Sequence, residues 1–107
     1  MSRSLRGFYR GMHGRVRVDH NWTPITARSA VVVTAAEWAP REGSLFGLEN
    51  ERPLLGEATI WVSNVGVHGP EGGDGGVEFH LHVDWPSPLA VMVTITVLDE
   101  IEQFVTA

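Results

Sequence analysis

The nine residues Val77-Glu-Phe-His-Leu-His-Val-Asp-Trp85 alternate in character without a fault. A period of two puts Val77, Phe79, Leu81, Val83 and Trp85 on one side of an extended chain, with Glu78, His80, His82 and Asp84 on the other. A helix would scatter both sets around its axis, so the run is a β-strand with one buried face and one solvated face. A single strand cannot bury that apolar face alone. The chain therefore needs a sheet around this strand and a second layer over it.

The rest of the sequence supplies such strands. Gly14 to His20 sets Arg15, Arg17 and Asp19 against Val16, Val18 and His20, and a shorter stretch at 5–10 has strand character. Residues 27–38 contain the β-branched run Val31-Val-Val-Thr34, and residues 57–67 place Ala58, Ile60 and Val62 opposite Thr59, Trp61 and Ser63. Residues 89–98 form another β-branched run. By alternation Trp85 is expected on the buried face and Trp61 on the solvated one. The connections are rich in turn formers: Pro24, Pro40, the Pro86-Ser-Pro88 turn, and a segment 66–76 in which six of eleven residues are glycine. That glycine-rich stretch reads as a mobile loop between two strands. Residues 41–53, with Leu45, Phe46 and Leu48, read as a loop holding a turn of helix, and residues 99–104 as a final helical turn or an extension. The expected fold is a single all-β domain over residues 1–107, a small antiparallel β-sandwich or partly open barrel of about five to seven strands, with at most one short helix. The run at 27–38 reads as a strand buried on both faces or paired centrally, and if it and the run at 89–98 lie at sheet edges they need covering.

Composition limits what such a domain can be. Apolar residues make up 43% and charged residues 20%, as in an ordinary globular domain and unlike a disordered chain. There is no cysteine, which excludes disulfide staples, thiol catalysis and Cys-based metal sites. The basic start has no apolar core of the kind a signal peptide needs, and no apolar run reaches membrane-spanning length, so a cytoplasmic protein without a membrane partner is expected. All eight cations are arginine. Residues 1–28 hold six of them against Asp19 alone, whereas residues 29–107 hold two against twelve acids, for a net charge of −5. An acidic chain with pI near 5.4 does not suit a dedicated nucleic-acid binder. The asymmetry is better explained by pairing within the fold or across a dimer. In such pairing Arg15 and Arg17 would face Glu78 and Asp84 on a neighbouring antiparallel strand.

The strand 78–84 also carries the sharpest chemistry. Side chains two apart on a strand point the same way at about 6 to 7 Å, so His80 and His82 could hold one divalent ion such as Zn or Mn. Asp84 or Glu78 would add a carboxylate oxygen, and His68 on the glycine-rich segment a third imidazole. The string Phe79-His80-Leu81-His82 resembles the metal strand of alpha-class carbonic anhydrases, and its His-x-His resembles part of the cupin motif. Both families place a further histidine downstream; none follows His82 here, so neither activity carries over. Phosphate-loop and serine-hydrolase signatures are absent: there is no lysine, no GxxxxGK[ST] and no GxSxG.

Three functions follow as expectations. The first is a non-catalytic binding or assembly module that self-associates, or takes a protein partner, through strand-rich apolar surface, with Trp61, Arg15 and Arg17 at the contact. The second is a metal-binding protein or metal-dependent enzyme built on His80 and His82. The third is a carbohydrate-binding β-sandwich that uses exposed tryptophan.

Overall fold

A computed structural model describes residues 2–39, 51–69 and 74–106. The expected helical turn around Leu45 and Phe46, and the middle of the glycine-rich stretch at 70–73, lie outside these residues. Six strands form in chain order: β1 (Arg3–Met12), β2 (Gly14–Asn21), β3 (Ser29–Glu37), β4 (Thr59–His68), β5 (Gly76–Asp84) and β6 (Leu89–Glu100). They make two three-stranded antiparallel sheets, β1-β6-β3 and β2-β5-β4, which do not close into a barrel. The protein is a small all-β sandwich. The described residues include no helix, and hence none long and apolar enough to cross a membrane; 99–104 continues β6 and then runs on irregularly.

The two most apolar strands, β5 and β6, are the central strands of their sheets and face each other. Val77, Phe79, Leu81 and Val83 from β5 meet Val91, Val93, Ile95 and Val97 from β6, all nearly inaccessible to water, with Val18 and Ile25 completing the core. Each such burial is worth about 1.5–3 kcal/mol. Residues 89–98 are thus not an edge as their sequence suggested, because β1 and β3 flank them on both sides. The edge reading holds for β3, and the reading of it as a central strand buried on both faces does not, since among the described residues it pairs with β6 alone apart from an isolated bridge between Glu37 and Leu54.

The chain passes from one sheet to the other between β1 and β2, which are separated by His13 alone. Gly11 and Gly14 flank this corner with φ of 67° each, a left-handed conformation that glycine adopts without steric cost. Asn64, at φ 55°, marks a bulge in β4 where the register slips between Ser63 and Gly66.

The outer face of β1-β6-β3 carries a second, smaller cluster. Phe8, Ala36 and Met92 lie in one cross-strand row, and Trp38 packs edge-on against Phe8 at 4.8 Å. Residues that follow the undescribed segment cover this end. The Trp38 indole N–H donates to Glu51 Oε2 at 3.2 Å, Arg6 donates to the Glu51 carbonyl at 3.2 Å, and the Leu54 N–H donates to the Glu37 carbonyl at 2.9 Å. Met92 and Trp38 are buried although their side of the sheet faces away from the main core.

Candidate interaction face on the β2-β5-β4 sheet

Since Val77, Phe79, Leu81 and Val83 point inward, the alternate residues of β5 are forced outward, and their neighbours follow from the register. Arg15 on β2, His82 on β5 and Trp61 on β4 form one cross-strand row, and Arg17, His80 and Ser63 form the next. Asp19, Glu78 and Gly66 make a third row, and Thr59 lies beside Asp84 at the opposite end. Arg15 and Arg17 are therefore opposite the two histidines, not opposite Glu78 and Asp84. Pairing of β2 with β5 could be anticipated from charge; the two-residue offset could not, since register is set by the whole inward-facing set.

Arg15, Arg17, Ser63, His68 and His82 on this face have side-chain partners within the sheet. Arg17 reaches diagonally to pair with Glu78. Arg15 Nη2 lies 3.3 Å from His80 Nε2. A guanidinium only donates, so as a hydrogen bond this contact uses the Nε2 lone pair as its acceptor. His82 Nε2 lies 2.7 Å from Ser63 Oγ, and its ring stacks on the Trp61 indole at 4.6 Å with 3° between the planes. The His80 and His82 rings are 6.3 Å apart and nearly perpendicular.

His68 stands elsewhere. It pairs across from Gly76, four residues along β5 from His80, or roughly 13 Å at the rise of a strand. Its Nε2 contacts Asp19 Oδ1 at 3.1 Å, and the ring reaches that far because Gly76 has no side chain: a Cβ there would lie 2.6 Å from His68 Cε1. The structure thus brings together His80, His82, Arg15, Arg17, Glu78 and Trp61, and it separates His68 from the histidine pair. Among the described residues no group of three or more His, Asp or Glu is arranged to hold a metal ion.

Trp61 is 44% exposed on edge strand β4. It lines a shallow cleft of about 240 Å³ with Gly14, Arg15, His82, Val83 and Asp84. A neighbouring depression of about 290 Å³ is lined by Arg17, Asn64, Gly66, Glu78, Phe79 and His80. Trp85, expected in the core, is instead 36% exposed, because β5 ends at Asp84 and the chain has already turned into Pro86-Ser-Pro88. The face is thus an aromatic edge set among guanidinium, imidazole and carboxylate groups, open to solvent on a rigid sheet. Such a surface offers an apolar anchor and directional hydrogen bonds to a partner.

No family model matches the chain, and no curated protein or solved structure matches it. The fold and these side chains define the class, a small β-sandwich with a mixed aromatic and charged sheet face.

Proposed function

We propose that this protein is a non-catalytic binding and assembly module that self-associates, with the outer face of β2-β5-β4 as its contact surface. The observation that carries this reading is the row Arg15–His82–Trp61, in which an exposed indole is held upright by a stacked imidazole with a guanidinium two strands away. Trp and Arg are the residue types that dominate binding energy at interfaces, and immobilising them before contact lowers the ordering cost of association. Here the immobilisation comes from the Ser63–His82 hydrogen bond and the His82–Trp61 stack. Arg15 has no carboxylate partner among the described residues, and so keeps donors for an incoming acid.

Sedimentation equilibrium tests the reading. The wild-type chain should self-associate at high micromolar concentration, and Trp61→Ala should weaken the association by about thirtyfold, the ratio expected for losing a hot-spot side chain. A wild-type chain that stays monomeric in both low and high salt removes the self-association part of the proposal.

A further inference from the structure

The charges on the outer face of β2-β5-β4 fall into two groups. At the Gly76 end of the sheet Arg17 pairs with Glu78, and Asp19 is in contact with His68. At the other end two groups of opposite charge remain. Arg15 is exposed and has no carboxylate partner among the described residues, and Asp84, exposed as the last residue of β5, has no side-chain partner among them. Both border the shallow cleft that has the Trp61 indole as a wall.

The register fixes where these two charges stand relative to the aromatic row. Arg15 is opposite His82 on the neighbouring strand, and Asp84 is two residues beyond His82 along β5. With adjacent strands about 4.8 Å apart and alternate residues about 6.7 Å apart, the Cα atoms of Arg15 and Asp84 are separated by roughly 8 Å. Two copies that meet face to face about a two-fold exchange these residues when the axis lies in the contact plane, midway between them. By the same spacings that axis passes within roughly 2 Å of the Cα positions of both His82 and Trp61. One rotation therefore sets Arg15 of each copy over Asp84 of the other and brings the two Trp61 side chains together between the ion pairs.

We infer that the protein forms a closed two-fold dimer through this face, with Arg15 of each copy paired to Asp84 of the other across a central contact between the two Trp61 indoles. This inference rests on the self-association proposed above and gives it a symmetry and a set of contacts. The surface meets itself, so the contact is isologous and is used up at two copies. One guanidinium and one carboxylate from each copy meet, and the pairing requires no change of protonation. The other carboxylates stay clear of it. Asp19 and Glu78 share a row four residues along β5 from His82, roughly 13 Å away at the rise of a strand. Turned about the same axis, each lies more than about 20 Å from its equivalent, twice the distance over which physiological salt screens a charge.

Sedimentation velocity across a concentration series at low salt tests the inference. Wild-type chain should pass from monomer to dimer and no further. Arg15→Glu or Asp84→Arg alone sets like charges against each other at both pairs and should raise the dissociation constant at least about tenfold. An equimolar mixture of these two variants restores opposite charges at both pairs and should dimerise about as tightly as wild type, as should the chain carrying both substitutions. Thermal melts like the wild type's verify folding. The milder Arg15→Gln with Asp84→Asn removes both pairs without repulsion, and its weaker dimer should lose the salt dependence of the wild type. If wild-type chain associates but the single variants match it, the mixture fails to recover, or species larger than a dimer grow with concentration, the inference fails while the proposed self-association stands. A wild-type chain monomeric at high micromolar concentration in both low and high salt overturns the self-association reading itself.

Discussion

Gly75→Ala should be among the most damaging single changes outside the core side chains. The site belongs to the glycine-rich stretch that reads in sequence as a mobile loop, yet Gly75 is buried and its carbonyl accepts the Trp22 N–H at 2.8 Å. A Cβ at this position would lie 1.7 Å from the Ile25 carbonyl oxygen and 2.9 Å from its carbonyl carbon, far inside van der Waals contact with atoms that cannot rotate away. Relief requires one backbone segment to move, which stretches the Trp22–Gly75 hydrogen bond and lifts Ile25, 1% exposed, from the end of the core. Overpacking costs about 1–3 kcal/mol and the lost hydrogen bond about 1 kcal/mol. The stiffer unfolded chain offsets about 0.4–1 kcal/mol, leaving a loss of about 2–3 kcal/mol. For a domain of this size that lowers Tm by roughly 10–20 °C. Thermal and urea unfolding followed by circular dichroism measure it, with an unchanged urea slope. Gly11→Ala is the control: its φ of 67° disfavours alanine by about 1–2 kcal/mol, but no neighbour lies within 4 Å of the added Cβ. A Gly75→Ala protein that melts within about 2 °C of wild type, or above Gly11→Ala, refutes the steric reasoning.

Three further outcomes follow from the structure. Tyr9 is the one tyrosine of the chain, and burial raises its phenol above the ordinary value of 10.0, so tyrosinate absorbance should titrate above that pH. Because the folded state favours the neutral phenol, the associated stability is fully present below the unfolded pKa and is lost as pH rises through the folded one; a titration midpoint at or below 10.0 contradicts this. Glu51→Ala should cost about 2 kcal/mol by leaving the buried Trp38 indole N–H unpaired, and a smaller loss than Gly11→Ala would show that water replaces the carboxylate. Zn²⁺ and EDTA should leave Tm unchanged, because the Arg15 cation sits 3.3 Å from His80 Nε2, whereas a Zn²⁺-dependent rise abolished by His80→Ala with His82→Ala would establish a metal site.

Most of the architecture was legible because it rests on local alternation. The strict period of 77–83 marked β5, and the β-branched runs marked β3 and β6. The outward set of His80, His82, Arg15, Arg17 and Trp61 followed from the same period. What escaped the sequence depends on contacts between distant segments. The central position of β6 follows from pairing on both sides, with partners 77 or more residues away in β1 and 54 or more in β3. Met92 and Trp38 are buried on an outer sheet face because Glu51 and Leu54 return to cover them. The tight fit at Gly75 and Gly76 comes from the β2–β3 connection and His68, and resembles loop flexibility when only composition is read. Trp85 left the alternation because the strand ends one residue before it.

The central claim is that the outer face of β2-β5-β4 is where copies of this chain meet. Backbone and indole ¹H–¹⁵N spectra recorded across a concentration series test it most directly. The account predicts that the largest concentration-dependent shifts fall on Arg15, Arg17, the Trp61 indole N–H, Ser63 and His82. Shifts confined to Ser4, Val32, Thr94 and Thr96 on the outer face of the opposite sheet would contradict it, as would spectra that do not change with concentration.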